Sequence, residues 1–304
     1  MAFADAVVMR SATAWVTGTA DIGDTKLAYH EEGRGEPVVF VHGTLGDLRV
    51  WQAQIPFFAR THRAIAYSRR YAAPNPDIER DADDPMPVHV EDLGRFLGAL
   101  DASPAHLVGS SWGAFVCLLL AIRHPEQVRS LVLAEPPVVP LFMSLPPTPG
   151  KLLRLLVTRP RAGVALLRFV GGTLLPAQRA LERGRDEEAM RRFGDGVVGP
   201  GFFDDSPPEV QARTRENFGA FREQILGEGF PPVADDEVRG VDAPTLLVTG
   251  ERSPAFLRRV SERLGALLPN ASSVEIPDAS HVMFESHPEA FNAAVAAFLE
   301  RRGA

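Results

Sequence analysis

Apolar residues recur along this chain with two periods, and the alternation between them lays out an architecture. Short apolar runs of the buried-strand kind fall at residues 37–41, 64–67, 105–108, 130–134, 245–249 and 273–276. Residues 25–30 read as an edge strand, followed by a turn at Gly33 and Gly35. Helical signals occupy residues 51–60, 89–100, 112–124, 255–267 and 288–301. In the second of these, Val90, Leu93, Phe96, Leu97 and Leu100 fall on one helix face. Strands alternating with helices predict an α/β fold, a mostly parallel central sheet covered by helices on both faces.

The alternation stops at Glu135-Pro136-Pro137. From 140 to 235 no strand pattern appears, and helical stretches take over at 151–157, 164–169, 176–193 and 208–226. Proline pairs bound this block at Pro146-Pro147 and Pro231-Pro232. Strands resume directly after it, so it reads as an all-helical cap (140–235) inserted between two parts of one core (1–139 and 236–304). There are no internal repeats and no low-complexity tract.

Chemistry concentrates at Gly109-Ser110-Ser111-Trp112-Gly113, a G-x-S-x-G at the junction of an apolar run and a helical one. Strand, tight turn and helix are the context of a nucleophile elbow. The serine at such a tip is strained, and glycines two residues to either side remove Cβ atoms that would clash. The geometry lifts Ser111 Oγ clear of the sheet and aims a helix N-terminus at the reacting carbon. The Trp112 backbone N–H can then receive a developing oxyanion. A serine hydroxyl needs a base to take its proton. Of eight histidines, His281 stands in a loop between the last strand and the last helix. Open parallel sheets collect reacting groups at such carboxyl ends, and Ser111 before His281 is the order an elbow uses. A second oxyanion donor is the Thr44 N–H, just past His42-Gly43 at the end of the 37–41 strand, with Gly43 permitting close backbone approach. His42 itself reads as a structural loop histidine.

With 304 residues, 45% hydrophobic and 23% charged, the composition is that of an ordinary globular protein. A net charge of −7 argues against a nucleic-acid surface. The single cysteine, Cys117, rules out an intramolecular disulfide and a multi-cysteine metal site; its helical position makes it a core thiol. Residues 1–6 lack the basic start of a secretory signal. Residues 105–122 are nearly uncharged and about a membrane span long, but the glycine-serine break makes them a buried strand turning into a buried helix. The expectation is a cytoplasmic protein acting on a small molecule, without cofactor or metal and without nucleic-acid or membrane partner.

Gly109-Ser110-Ser111-Trp112-Gly113, together with Val39-Phe40-Val41-His42-Gly43, Arg123-His124-Pro125-Glu126-Gln127-Val128, Ile276-Pro277-Asp278-Ala279-Ser280-His281 and His287-Pro288-Glu289-Ala290-Phe291, resembles the α/β-hydrolase superfamily. The matches run in the family's order across nearly the whole chain except the cap. Two departures matter. The family usually carries its triad acid in a G-x-x-D after the 245–249 strand, and this chain has Gly250-Glu251-Arg252-Ser253. Some relatives, including many haloalkane dehalogenases, place the acid at the end of the strand after the elbow helix, where Glu135 stands. The resemblance therefore implies a triad of Ser111, His281 and Glu135, with Glu251 the rival acid and a strand-capping or hinge role the alternative for Glu135. The second departure is Tyr67-Ser68-Arg69-Arg70-Tyr71, where many relatives have an aspartate and a glycine-rich turn. Arg69 and Arg70 are candidate contacts for a substrate carboxylate or phosphate, against the commoner fates of solvation and internal ion pairing.

Three functions compete on these residues. The first is hydrolysis of a carboxylic ester, lactone or thioester through an acyl-enzyme. The second is cofactor-free chemistry in which His281 and an acid abstract a proton and Ser111 is a bystander. The third is ligand binding without catalysis. A serine nucleophile argues against haloalkane or epoxide hydrolysis, because its ether product would be a dead end.

Overall fold

Each of the six apolar runs becomes a strand of one sheet. The computed structural model describes residues 15–144, 147–227 and 229–303. The start of the chain and Pro146, both used in the sequence reading, lie outside them. The strands are β1 (Gly18–Asp21), β2 (Lys26–Gly33), β3 (Pro37–Val41), β4 (Arg63–Tyr67), β5 (Ala105–Ser110), β6 (Val128–Ala134), β7 (Thr245–Gly250) and β8 (Ala271–Ile276), in the order β1-β2-β4-β3-β5-β6-β7-β8. From β4 to β8 every pairing is parallel; β1 and β2 join antiparallel at one side. The strand expected at the edge, β2, is thus internal, because the unread β1 covers it with Gly18 opposite Tyr29. A four-residue strand with two exposed positions leaves too little pattern to read.

Both sheet faces are buried, as continuous apolar runs require. Val39 and Val41 point to one side, against α2 (Met86–Ala99) and α3 (Trp112–Arg123), after a short α1 (Ile55–Phe58). Val38 and Phe40 point to the other, into a layer containing Trp51 and Phe58. Removing each such side chain from water contributes about 1.5–3 kcal/mol. The helix expected at 51–60 is cut short. Asp47 caps a single 3-10 turn at Leu48–Trp51, and α1 starts again with Pro56 in its first turn.

Between the adjacent parallel strands β6 and β7 the described residues form a helical insertion, α4 (Pro149–Thr158), α5 (Pro160–Phe169), α6 (Leu175–Glu182), α7 (Asp186–Val197), α8 (Pro208–Glu216) and α9 (Phe218–Leu226), before a short helix that leads into β7. The stretch expected as one helix over 176–193 breaks at Gly184, whose φ of 67° suits glycine. The 208–226 stretch breaks at Asn217 for a tertiary reason. Its buried amide donates to Asp47 Oδ2 (2.7 Å) and to the Arg213 carbonyl (2.8 Å), and accepts from the Ala73 N–H (2.9 Å). Asn217 thereby pins the helical insertion to the core, alongside ion pairs of Arg49 with Glu216 and Arg213 with Glu285. The chain finishes with α10 (Asp235–Arg239), α11 (Ala255–Leu267), α12 (Met283–Ser286) and α13 (Pro288–Gly303). The segment weighed as a membrane span is β5 plus α3, and no helix among the described residues is long and apolar enough to cross a bilayer.

Candidate active site

Parallel strands deliver their carboxyl ends to one edge of the sheet, and five loops there bring the chemistry together. β5 ends at Ser110 and α3 begins at Trp112, leaving one residue to reverse the chain. Ser111 does so at φ 52° and ψ −122°, a conformation costing a residue with a side chain about 1–3 kcal/mol. A Cβ on Gly109 would stand 2.5 Å from Ala114 Cα, and one on Gly113 2.3 Å from the His42 carbonyl oxygen. Glycine at both positions is what lets strand, turn and β3 loop approach so closely.

Glu135 follows β6 directly, fully buried and at φ 48°. Its Oε2 lies 2.6 Å from Nδ1 of the buried His281, and its Oε1 accepts the Gly250 N–H at 3.0 Å. A carboxylate oxygen accepts, so in this pairing Nδ1 of His281 is the donor and Nε2 is the nitrogen without a hydrogen. Three strands thus converge on one pair: β6 supplies the acid, β7 orients it, and the loop after β8 supplies the imidazole. Glu251 takes a different place; it is exposed and accepts the Asp278 N–H at 2.8 Å. Ser253, in the position of the expected aspartate, is buried with its hydroxyl unpartnered.

Ser111, His281, Thr44 and Trp112 line one cavity of about 840 Å³, whose remaining walls are largely apolar, with Leu152, Leu166 and Phe230 among them. The structure forms no hydrogen bond between Ser111 and His281; such contacts are often long until substrate binds. The Thr44 loop abuts the elbow, since a Cβ on Gly43 would sit 3.0 Å from Ser111 Cβ. The Thr44 hydroxyl donates to Gln224 Oε1 of α9 at 3.0 Å.

Arg69 and Arg70 do not line this cavity. Arg70 pairs with Asp92 (2.6 Å) and Asp24 (3.0 Å), and the Asp92 hydrogen bond, against burial, raises its pKa. Arg69 is buried and clamps the β3 loop. Nε donates to the His42 carbonyl at 3.0 Å and Nη2 to the Gly43 carbonyl at 3.1 Å, while its guanidinium lies 4.2 Å from the Trp112 ring centroid. Burial, opposed by the charge of Asp84, lowers its pKa to about 10, so it remains a cation at neutral pH. His42 accepts the Arg69 N–H on Nε2 (2.9 Å) and donates from Nδ1 to the Gly43 carbonyl (2.8 Å). Burial, with the Arg69 charge beside it, holds His42 well below its ordinary pKa, a neutral structural histidine.

Sequence reasoning missed one neighbouring network. Asp84 accepts from His89 Nε2 at 2.5 Å and from Gln224 Nε2 at 2.9 Å, and the His89 ring meets that of Trp112 edge-on at 4.6 Å. Burial lowers the pKa of His89 despite its bond to Asp84. Asp84 ends the acidic stretch Asp81-Ala82-Asp83-Asp84, and no local signal ties it to a helix more than a hundred residues away.

Comparison with known proteins agrees with this arrangement at the level of fold. The chain is 30% identical over 293 residues to a putative non-heme bromoperoxidase, BpoC, of Mycobacterium tuberculosis, covering 90% of this chain and 97% of that protein. It is 25% identical over 312 residues to a 2-hydroxy-6-oxo-6-(2'-aminophenyl)hexa-2,4-dienoic acid hydrolase of Metapseudomonas resinovorans, covering 98% and 96%. Among solved structures, a thermophilic esterase from Thermogutta terrifontis superposes with a TM-score of 0.67 at 21% identity, covering 95% of this chain and 98% of that one. A family model of the alpha/beta hydrolase fold matches residues 36–288. With five sheet-edge loops, the elbow and this match in agreement, the chain belongs to the alpha/beta hydrolase fold family.

Proposed function

We propose that this protein is a serine hydrolase that cleaves a carboxylic ester, with lactones and thioesters in the same class, of a small to medium, partly apolar molecule. The observation that carries the reading is the 2.6 Å hydrogen bond between buried Glu135 and His281 on the cavity that Ser111 also lines. In this scheme Nε2 of His281 takes the Ser111 proton as Oγ attacks the carbonyl carbon. The N–H groups of Thr44 and Trp112 receive the oxyanion, and Glu135 stabilises the imidazolium that forms. His281 then gives the proton to the leaving alkoxide. Water, deprotonated by the same nitrogen, attacks the acyl-enzyme and releases the acid. The helical insertion over 140–235 acts as a cap that forms the apolar roof over the acyl group. No cofactor enters the scheme.

The test is intact mass after exposure to a small fluorophosphonate, with Ser111→Ala as control. One adduct, absent from the variant, and loss of ester hydrolysis in that variant are expected. A second reading is favoured by the completeness of the Glu135–His281 pair without the serine hydroxyl: a cofactor-free base catalyst. A Ser111→Ala protein that stays unlabelled yet keeps turnover would establish that reading instead.

A further inference from the structure

We propose that helices α4 and α5 form a docking face for an anionic lipid bilayer, with the cavity mouth opening onto that face. The use of the cavity rests on the hydrolase reading; the docking face does not. Between Pro136 and Leu181 the chain carries Lys151, Arg154, Arg159, Arg161, Arg168 and Arg179 and no acidic residue, in a protein of net charge −7. Elsewhere many exposed arginines are matched to carboxylates, as Arg191 is to Glu187 and Asp204, and Arg259 to Glu262, while those unpaired among the described residues, such as Arg34, Arg80 and Arg183, stand singly rather than in an acid-free run. Among the described residues, none of the five arginines of this segment enters an ion pair. Their charge is left facing outward.

The same segment holds the large exposed hydrophobics. Leu153 (62% exposed) and Val157 (73%) are one turn apart on α4, Val164 and Leu167 share a face of α5, and Leu175 begins α6. The two helices pack closely at Leu156 and Gly163, where an added Cβ would lie 2.9 Å from Leu156 Cδ2. Their inward residues, Leu155 and Leu166, are buried, so the outward apolar side is surplus to the core. Apolar side chains interleaved with arginines are the pattern of a helix lying in a lipid interface, cations at the headgroups and aliphatic groups below them. A second copy of this face is a poor occupant, because it would bring two acid-free cationic segments together. Leu167 and Leu175 are both exposed and cavity-lining. With Asp83, Pro85 and Pro147, which are also exposed and cavity-lining, they form the rim of the mouth, through which an apolar substrate could pass from the acyl layer. In the sequence the membrane signal is confined to residues 105–122, a buried strand and helix, so no membrane partner is expected from it.

Flotation with phosphatidylcholine vesicles, with and without phosphatidylglycerol, tests this on the full chain. The wild type should float with the mixed vesicles at low salt and be released by high salt. Replacing Arg154, Arg159 and Arg161 together with Gln should lower the partition coefficient roughly a hundredfold. Leu153→Asn with Val157→Asn should weaken it with the salt response retained. None of these residues lines the cavity, so fluorophosphonate labelling of Ser111 should be unchanged in every variant; labelling reports the hydrolase reading and flotation the docking face. No flotation with mixed vesicles, flotation indifferent to these substitutions, or a dimer in light scattering that the Leu153 and Val157 changes dissociate would overturn the proposal.

Discussion

Replacing Glu135 with Gln removes one charge from the centre of the site while keeping its size. In the wild type one oxygen accepts from His281 Nδ1 and the other from the Gly250 N–H. An amide cannot satisfy both. If its oxygen faces His281, its NH2 meets the Gly250 N–H, leaving a buried donor unpaired at about 1–3 kcal/mol. If it flips, the NH2 faces Nδ1 and forces the ring proton onto Nε2, the atom that must accept from Ser111. In either orientation the carboxylate that faces the developing imidazolium is gone. Two unit charges roughly 4 Å apart at an effective dielectric of about 20 attract by about 4 kcal/mol, equivalent to about three powers of ten in rate. The expected result is a fall of kcat/KM on a short-chain nitrophenyl ester by roughly 10³–10⁴, with fluorophosphonate labelling slowed in parallel. Glu251→Gln touches only the exposed bond to the Asp278 N–H and should change the rate less than about tenfold. Both variants should keep native circular dichroism. A Glu135→Gln enzyme within tenfold of wild type, or a Glu251→Gln enzyme equally impaired, refutes the assignment of the acid.

Three further outcomes follow from the surroundings of the site. Arg69→Met removes the hydrogen bonds that hold the His42 and Gly43 carbonyls; kcat should drop about 10- to 100-fold with KM little changed, and Arg69→Lys should recover part of it. Equal loss in both variants would assign the effect to burial of charge alone. Gly113→Ala drives a methyl against the Val41 and His42 carbonyls and should cost at least about 3 kcal/mol in denaturant unfolding; a near-neutral change would contradict the packing at the elbow. His42 is neutral when folded and its pKa lies below the unfolded value, so the unfolded chain binds more protons and stability is lost as pH falls below about 6.5. From about pH 7.5 to about pH 5.5 His42→Gln should lose about 1.4 kcal/mol less than wild type, and equal losses would show that His42 protonates in the folded protein.

The sequence by itself determined the strand-and-helix alternation, the elbow and the position of His281, because each is a local pattern. An apolar run of five residues has one use in a parallel sheet, and Gly109 and Gly113 have one use beside a strained serine. Long-range partners were another matter. Glu135 could be named as a triad acid only through resemblance, since a carboxylate after a strand has many fates; only the fold, by setting β6 beside β7 and bringing the β8 loop over both, puts its carboxylate against His281 and the Gly250 N–H, the contacts on which the proposed triad rests. From the sequence the two arginines are candidate substrate contacts beside an expected site rim, with solvation or internal ion pairing the commoner fate. Only the tertiary structure shows Arg70 held by Asp92 and Asp24 and Arg69 turned inward onto Trp112. Helix breaks at Asn217 and the Asp84–His89–Gln224 network escaped for the same reason: each depends on groups far apart in the chain meeting in a buried place, where unpaired polar atoms are costly. Local periodicity carries secondary structure, whereas hydrogen-bond satisfaction in the interior is decided by contacts that no stretch of sequence contains alone.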